Sequence, residues 1–427
     1  MLRTSLRGAA ALLLAAVWLA APAPAAWAHA ALEGSAPAAG ARVEESPRQV
    51  VLTFGETPDP TLSIIRVIDA RGLPVAGAGD ALPVPGEPDQ LAVALAEPLP
   101  RGVYSVNWLA VSEEDGHVEN GAFTFGVRVL PQPGSVVEVP LSHASAWAEG
   151  MSAAGHWLLY WGLALLLGAT TTGLLVFGGR APSGGLWVLR GALIAAAAGL
   201  CVITVAERLL IGVPSLLPLF LTREGELLLG LGSVLVLGAV ALVCYELWPG
   251  RGALAALGAL AAAAMLVHVF AGHADAPTGL RPVNLAAQWI HMMAIGTWVG
   301  GLAWLLLGIR TQERAGRAAA VRAYSRVATG ALAVVLLTGV TRAAVQVGSA
   351  AGLVETSYGV TLLVKVALVV ALVGLGALNH FRLVPGMQSD DGAYRLFRLN
   401  SRGEIAVAAA VLAATAILVG LAPPPGA

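Results

Sequence analysis

The chain has 427 residues, 57% of them hydrophobic and only 12% charged, against roughly a quarter charged in an ordinary globular domain; that much apolar sequence exceeds what one water-soluble core can hide and calls for a membrane. Its 25 basic and 26 acidic residues give a formal net charge of −1, which removes the electrostatic case for nucleic acid. The two cysteines, Cys201 and Cys244, both sit in apolar runs, so a disulfide framework and a Cys-ligated metal or cluster are excluded, and a metal would rest on His, Met or carboxylate.

The first element reads as a secretory leader. Arg3 and Arg7 precede an apolar run over 9–21 and the small-residue stretch Ala26-Trp27-Ala28, the pattern of a cleaved signal. Removal of 1–28 would leave His29 with a free α-amine; a retained signal anchor is the alternative. Residues 29–129 hold short alternating apolar runs, predicting strands at 49–54, 62–69, 91–95, 103–110 and 121–129. Breaks fall at Pro58-Asp59-Pro60, Gly72, Pro83 to Pro88, Pro98 and Asp115-Gly116. This spacing predicts a β-sandwich whose core includes Phe54, Trp108, Phe123 and Phe125. Residues 130–150, prolines at 131 and 140 included, show little periodicity and read as a linker.

Residues 151–422 read as an all-α membrane domain of about eight helices, with a tail at 423–427. Runs of about 20 apolar residues, the length that crosses a bilayer, occur near 153–177, 186–207, 226–247, 252–271, 284–308, 325–347, 359–379 and 404–421. With the β domain exported, the inner loops hold ten arginines (Arg180, Arg251, Arg310, Arg314, Arg317, Arg322, Arg382, Arg395, Arg398, Arg402) and the outer loops three (Arg208, Arg223, Arg281). That bias is what the positive-inside rule asks of this orientation. No nucleotide-binding loop and no G-x-S-x-G occurs, and no enzymatic activity is expected.

The eight histidines stand at 29, 117, 143, 156, 268, 273, 291 and 380, and in this topology all but His380 lie outside or in the outer part of a span. Met265 precedes His268 by three residues, on one helical face, and Met292 and Met293 follow His291. Imidazole with thioether suits copper, the thioether favouring Cu(I); taken singly, each such residue is also an ordinary packing or hydrogen-bonding group. Lys365, the single lysine, falls in the outer third of its span, where it either lines a path or snorkels outward; Glu207 is a candidate partner for it or for Arg208. Trp298, among small residues, reads as packing, and His380, at the inner end of its span, as a cap or loop contact, with an exit ligand as the alternative. In the exported domain Asp115 and His117 are two apart, so an extended loop points both to one side. With the amine and imidazole of His29 they form an N,N,N,O set of the kind Cu(II) takes in a tetragonal plane, and Glu56 could add an axial oxygen or hydrogen-bond the site. The alternative is a plain turn at Asp115-Gly116 with His117 solvated.

The segment that opens with His29-Ala30 and runs through Leu52-Thr53-Phe54-Gly55-Glu56, Val106-Asn107-Trp108-Leu109-Ala110-Val111-Ser112, Asp115-Gly116-His117 and Gly121-Ala122-Phe123-Thr124-Phe125 resembles the CopC periplasmic copper-binding family. The membrane part resembles the CopD copper-resistance family at His268 with Gly272-His273, His291 with Gly296, Trp298 and Gly300-Gly301, Ser325 to Thr341, Tyr358-Gly359 with Lys365 and Asn379, and Arg402 with Glu404. Together they look like a CopC–CopD fusion. The resemblance implies an Ig-like sandwich in which His29, Asp115 and His117 ligate Cu(II), and a copper-handling membrane domain, usually described as an uptake system. Some CopC proteins also carry a Met-rich Cu(I) loop; the β domain here contains no methionine and looks like a Cu(II)-only type.

The expected function is copper acquisition or homeostasis at the plasma membrane. The exported sandwich would pass copper to His156, Met265, His268, His273, His291, Met292 and Met293 at the outer face, with Lys365 beside the path. Thioether ligands call for Cu(I), so an unidentified reductase and a cytoplasmic copper acceptor are the expected partners. Two readings of other classes stay open: a haem- or copper-dependent electron-transfer protein with His268 and His291 as an axial pair, and a copper-binding receptor or buffer that moves nothing.

Overall fold

The computed structural model describes residues 32–113, 118–132, 135–137, 139, 146–211, 215–220, 222–271, 281–347, 354, 356–387 and 391–421. The expected leader, His29, Asp115, His117, His143, His273 and the C-terminal tail lie outside those residues.

Eight strands come first: β1 (Leu32–Ala36), β2 (Arg42–Val43), β3 (Gln49–Phe54), β4 (Ile64–Ile68), β5 (Ala78–Val84), β6 (Glu87–Leu95), β7 (Gly102–Val111) and β8 (Val118–Val127). They form two four-stranded sheets, ordered β1-β3-β6-β5 and β2-β8-β7-β4. Period-two alternation turns Val50, Leu52 and Phe54 of β3, Leu91, Val93 and Leu95 of β6, and Phe123 and Phe125 of β8 into one buried core. Phe54 meets Trp108 edge to face, ring centroids 5.5 Å apart. The five expected strands all occur. β1, β2 and β5 were not expected: β2 has two residues, and β5 contains Pro83, which reads as a break. β5 is a sheet edge, where a missing N–H costs nothing, and Gly86 at φ +89° turns the chain into β6.

β7 departs from alternation, being buried at every position from Tyr104 to Val111. Tyr104, Val106 and Trp108 face the sandwich core. On the other face, Val137 and Val139 are hydrogen-bonded onto the strand. Val137 N donates to Ser105 Oγ (2.9 Å), Asn107 Nδ2 donates to Val137 O (3.0 Å), and Val139 N donates to Asn107 Oδ1 (2.9 Å). Part of the expected linker is therefore docked on the sheet. Asn107→Ala should cost about 1–3 kcal/mol by stranding two backbone groups. Limited proteolysis should then cut within 131–139 faster than in the wild type while the sandwich resists; an unchanged cleavage pattern would mean that docking does not depend on Asn107.

The helices are α1 (Ala146–Leu175), α2 (Gly185–Ile211), α3 (Leu216–Phe220), α4 (Arg223–Leu247), α5 (Arg251–Phe270), α6 (Arg281–Ile295), α7 (Gly301–Gly308), α8 (Arg314–Val347), α9 (Ser357–Leu378), α10 (Val384–Gly386) and α11 (Asp391–Val419). Two single π-helical turns interrupt them, Gly296–Gly300 between α6 and α7 and Asn379–Leu383 between α9 and α10. Among the described residues eight helical stretches are long and apolar enough to cross a membrane. Their outward surfaces are apolar, with Ile194 67% and Val236 65% exposed, as lipid contact requires. Two spans begin earlier than the apolar runs suggest: α8 starts at Arg314 and α11 at Asp391. The Arg- and Ala-rich start of α8 and the Arg- and Leu-containing start of α11 supply good helix formers, and Arg317 stacks over Tyr394 at 4.6 Å, joining the two extensions.

α1 is the central helix, 67% of its apolar stretch buried against 6% for the α9 span. Glycine permits its closest approach: a Cβ at Gly168 would lie 2.1 Å from Gly301 N, and one at Gly300 only 1.9 Å from Ala164 O. Backbone thus packs on backbone where α1 crosses the first π-turn. The sandwich sits at the end of the bundle where α1 begins, and Leu62, Leu109 and Val111 share one buried cluster with Leu219 of α3 and residues of α1 and α2.

Candidate metal centre

At that end a cavity of about 1040 Å³ opens between the sandwich and the helices. On the sandwich side it is lined by Leu109 of β7 and by Glu119 and Asn120 of β8. These strands are joined by the 112–117 segment that carries Asp115 and His117. Glu56, 8% exposed, accepts a hydrogen bond from Ser112 Oγ at 2.7 Å, which places its carboxylate at the root of that segment.

On the helical side, His156 of α1 and His268 of α5 face each other with ring centroids 5.5 Å apart. His156 Nδ1 lies 2.9 Å from Ser152 O; a carbonyl only accepts, so Nδ1 carries the proton and Nε2 the lone pair. An imidazole oriented by a backbone carbonyl in this way is the usual arrangement of a metal ligand. Tyr160, one turn on from His156, places its hydroxyl 3.0 Å from His268 Nε2. Met265, 2% exposed, lines the same cavity one turn before His268.

His291 of α6 lines the cavity too. Its Nδ1 is 2.7 Å from Thr338 Oγ1, and Thr338 donates its own proton to Val334 O at 2.7 Å. His291 is therefore the donor to Thr338, and its Nε2 is the basic nitrogen. Met292 and Met293 both pack against the buried cluster around α1, and of the two only Met292 also lines the cavity; adjacent helical positions face different ways. Lys365 projects from α9 into the cavity wall. Glu207 accepts from Ser152 Oγ at 3.4 Å, because α2 sets it against the first turns of α1. Trp298 packs with Val299, Leu372 and Ala408 as expected, whereas His380, read as a cap or loop contact, stands in the second π-turn with its Nδ1 2.8 Å from Ser325 Oγ of α8.

Four residues escaped the sequence reading. Tyr160 was recoverable, standing four residues after His156 on one helical face. Ser152, the link to Glu207, lies four residues before it. Gln288 lines the cavity with a buried Oε1 that has no hydrogen-bond partner in the structure, and Asn120 lines it from β8. The charged residues in the lining are Glu119, Glu149, Glu207, Glu224 and Lys365, a balance that draws cations. Among the described residues no three His, Cys, Asp or Glu side chains converge on one point. The centre is a pair of imidazoles with a phenol in contact and a thioether one turn away; the imidazoles suit copper and the thioether favours Cu(I).

Comparison with known proteins matches residues 32–128 to the family described as CopC domain and 318–418 to Copper resistance protein D, or CopD. Copper transport protein CutJ of Bacillus subtilis is 26% identical over 432 residues, covering 93% of this chain and 75% of CutJ. Protein YobA of Escherichia coli is 36% identical over 108 residues, covering 25% of this chain and 83% of YobA. Among solved structures, CopC from Methylosinus trichosporium OB3b is 32% identical and covers 23% of this chain and 93% of that one, at a TM-score of 0.21.

Proposed function

Because the chain belongs to the proteins that join a CopC domain to a CopD membrane domain, it is a copper-handling membrane protein, and we propose that it captures Cu(II) outside the cell and passes copper through its helices into the cytoplasm. The observation that carries this reading is the shared cavity. Its walls include β7 and β8, which flank the segment bearing Asp115 and His117, and also His156, Met265 and His268. A metal released from the sandwich would meet the imidazole pair without crossing bulk water. The short docked connection keeps donor and acceptor at high effective concentration.

His29, Asp115 and His117 would hold Cu(II) through nitrogen and carboxylate, with Glu56 bracing the loop. His156 and His268, with Met265, would take copper in a softer set suited to Cu(I). Reduction between the two sets needs an external electron donor, and a cytoplasmic acceptor would draw the ion onward. Orientation follows from charge: Arg310, Arg314, Arg317, Arg395 and Arg398 cluster at the end away from the sandwich, as a cytoplasmic face requires.

The test is copper accumulation in membrane vesicles of defined sidedness containing the full chain, with and without ascorbate as reductant. Right-side-out vesicles should accumulate copper and inverted ones should not. Accumulation by inverted vesicles alone would reverse the direction, and binding without accumulation in either would make the protein a receptor or buffer.

A further inference from the structure

Glu404 of α11 lies in the far half of the bundle, 4% exposed. Its carboxylate accepts a hydrogen bond from Asn379 Nδ2, and the same amide nitrogen donates to Ser401 Oγ at 3.1 Å. Asn379 is 6% exposed and Ser401 fully buried. Gly376 adjoins the group, at a distance where a Cβ would make ordinary van der Waals contact with Glu404 Oε2, 3.7 Å away. Glu404 takes part in none of the ion pairs among the described residues, and Asn379 Oδ1 is buried with no hydrogen-bond partner. A lone carboxylate beside a bare carbonyl oxygen at this depth is very costly unless a proton or a cation joins it.

The neighbouring elements supply no resident cation. α1 carries only Glu149 and His156, both near its other end, and α7 carries no charge. Lys365 on α9 is about 20 Å from Asn379 at 1.5 Å per residue. Tyr324 of α8 gives its hydroxyl to the backbone carbonyl of Trp298. His380 is exposed and bonded to Ser325, and Arg322, Arg326, Arg382 and Arg402 are exposed. The donors around Glu404 are all oxygen, a hard set unlike the imidazole and thioether groups of the upper cavity.

The two sites are connected. Trp298, Val299, Leu372 and Ala408 line the floor of the large cavity and also a narrow void, too small for water, that reaches Glu404. Each site adjoins a π-turn: one carries Trp298, which lines the void, and the other opens with Asn379, which holds Glu404. Such turns are frequent at functional sites.

We infer that Glu404, braced by Asn379 and Ser401, is a proton-exchange site on the copper route, separated from the upper cavity by a plug centred on Trp298. This inference rests on the transport reading above. With the path empty, the carboxyl holds a proton taken from the cytoplasmic side. When a copper cation passes the plug, the carboxyl O–H bond breaks, the proton leaves toward the upper cavity, and the cation balances the carboxylate. When copper departs inward, a cytoplasmic proton re-forms the O–H bond. Copper moves in, a proton moves out, and no electron changes hands at this site.

The experiment uses the full chain in right-side-out proteoliposomes with a pH-sensitive dye inside, the voltage clamped by valinomycin and potassium, and copper with ascorbate outside. The wild type should make the lumen more alkaline as copper enters, and an inside-acid gradient should speed entry. Glu404→Gln should lower copper flux about 10-fold or more and abolish both proton responses; Glu404→Asp should keep them, which separates loss of exchange from loss of folding. Copper flux with no lumenal pH change in the wild type, or proton movement unaltered in Glu404→Gln, would overturn proton exchange while leaving transport standing. No copper flux in the wild type would overturn both.

Discussion

A full-length chain with His117 replaced by Ala is expected to lose at least about 100-fold in Cu(II) affinity, since removal of even an outer-shell partner of a metal ligand costs 10–100-fold. The proposed set has four donors in a plane, and losing one imidazole leaves a three-donor site open to water. Extending the mature chain by one residue ahead of His29 should weaken binding comparably by displacing the α-amine from its chelate position. Because copper binds the deprotonated forms of imidazole and amine, affinity should fall as pH drops. Cu(II) titration followed by paramagnetic resonance checks all three. An unchanged spectrum in either variant would remove that residue from the site.

Replacing both His156 and His268 by Ala should reduce copper accumulation more than about 100-fold while leaving Cu(II) binding by the sandwich intact. The two rings are 5.5 Å apart in a cavity that also adjoins the sandwich, so their joint loss strips the imidazole pair from the receiving site but leaves the capturing one. Met293→Leu is the matched control, because Met293 packs in the cluster around α1 and does not line the cavity. Retained accumulation in the double variant would move the receiving site to His291 and Met292. Loss of Cu(II) binding as well would show that the substitutions had unfolded the chain.

Much of the architecture was legible in local pattern. Apolar runs long enough to span a bilayer marked all eight spans, because crossing a membrane imposes a length that each segment meets by itself. The bounds of β3 followed from strict alternation over 49–54, where one face is core and the other is not. α8 and α11 were placed late because hydropathy sees only the part of a helix in lipid and misses the charged turns that continue it. β5 was missed because its proline is disqualifying only in a central strand.

Amino-acid order alone settled the class of the two domains and the number of spans, because each is written in composition or short-range periodicity. It did not settle which donors meet. Tyr160 and His268 are 108 residues apart and come together because α1 is the central helix, with glycine letting its backbone touch the turn that carries Trp298. The covering of both faces of β7, the turning of Met292 toward the cavity and Met293 away, and the seating of Glu404 against Asn379 are likewise consequences of how helices and sheets cross. Such crossings depend on side-chain and backbone contacts between distant segments, which no window along the chain contains.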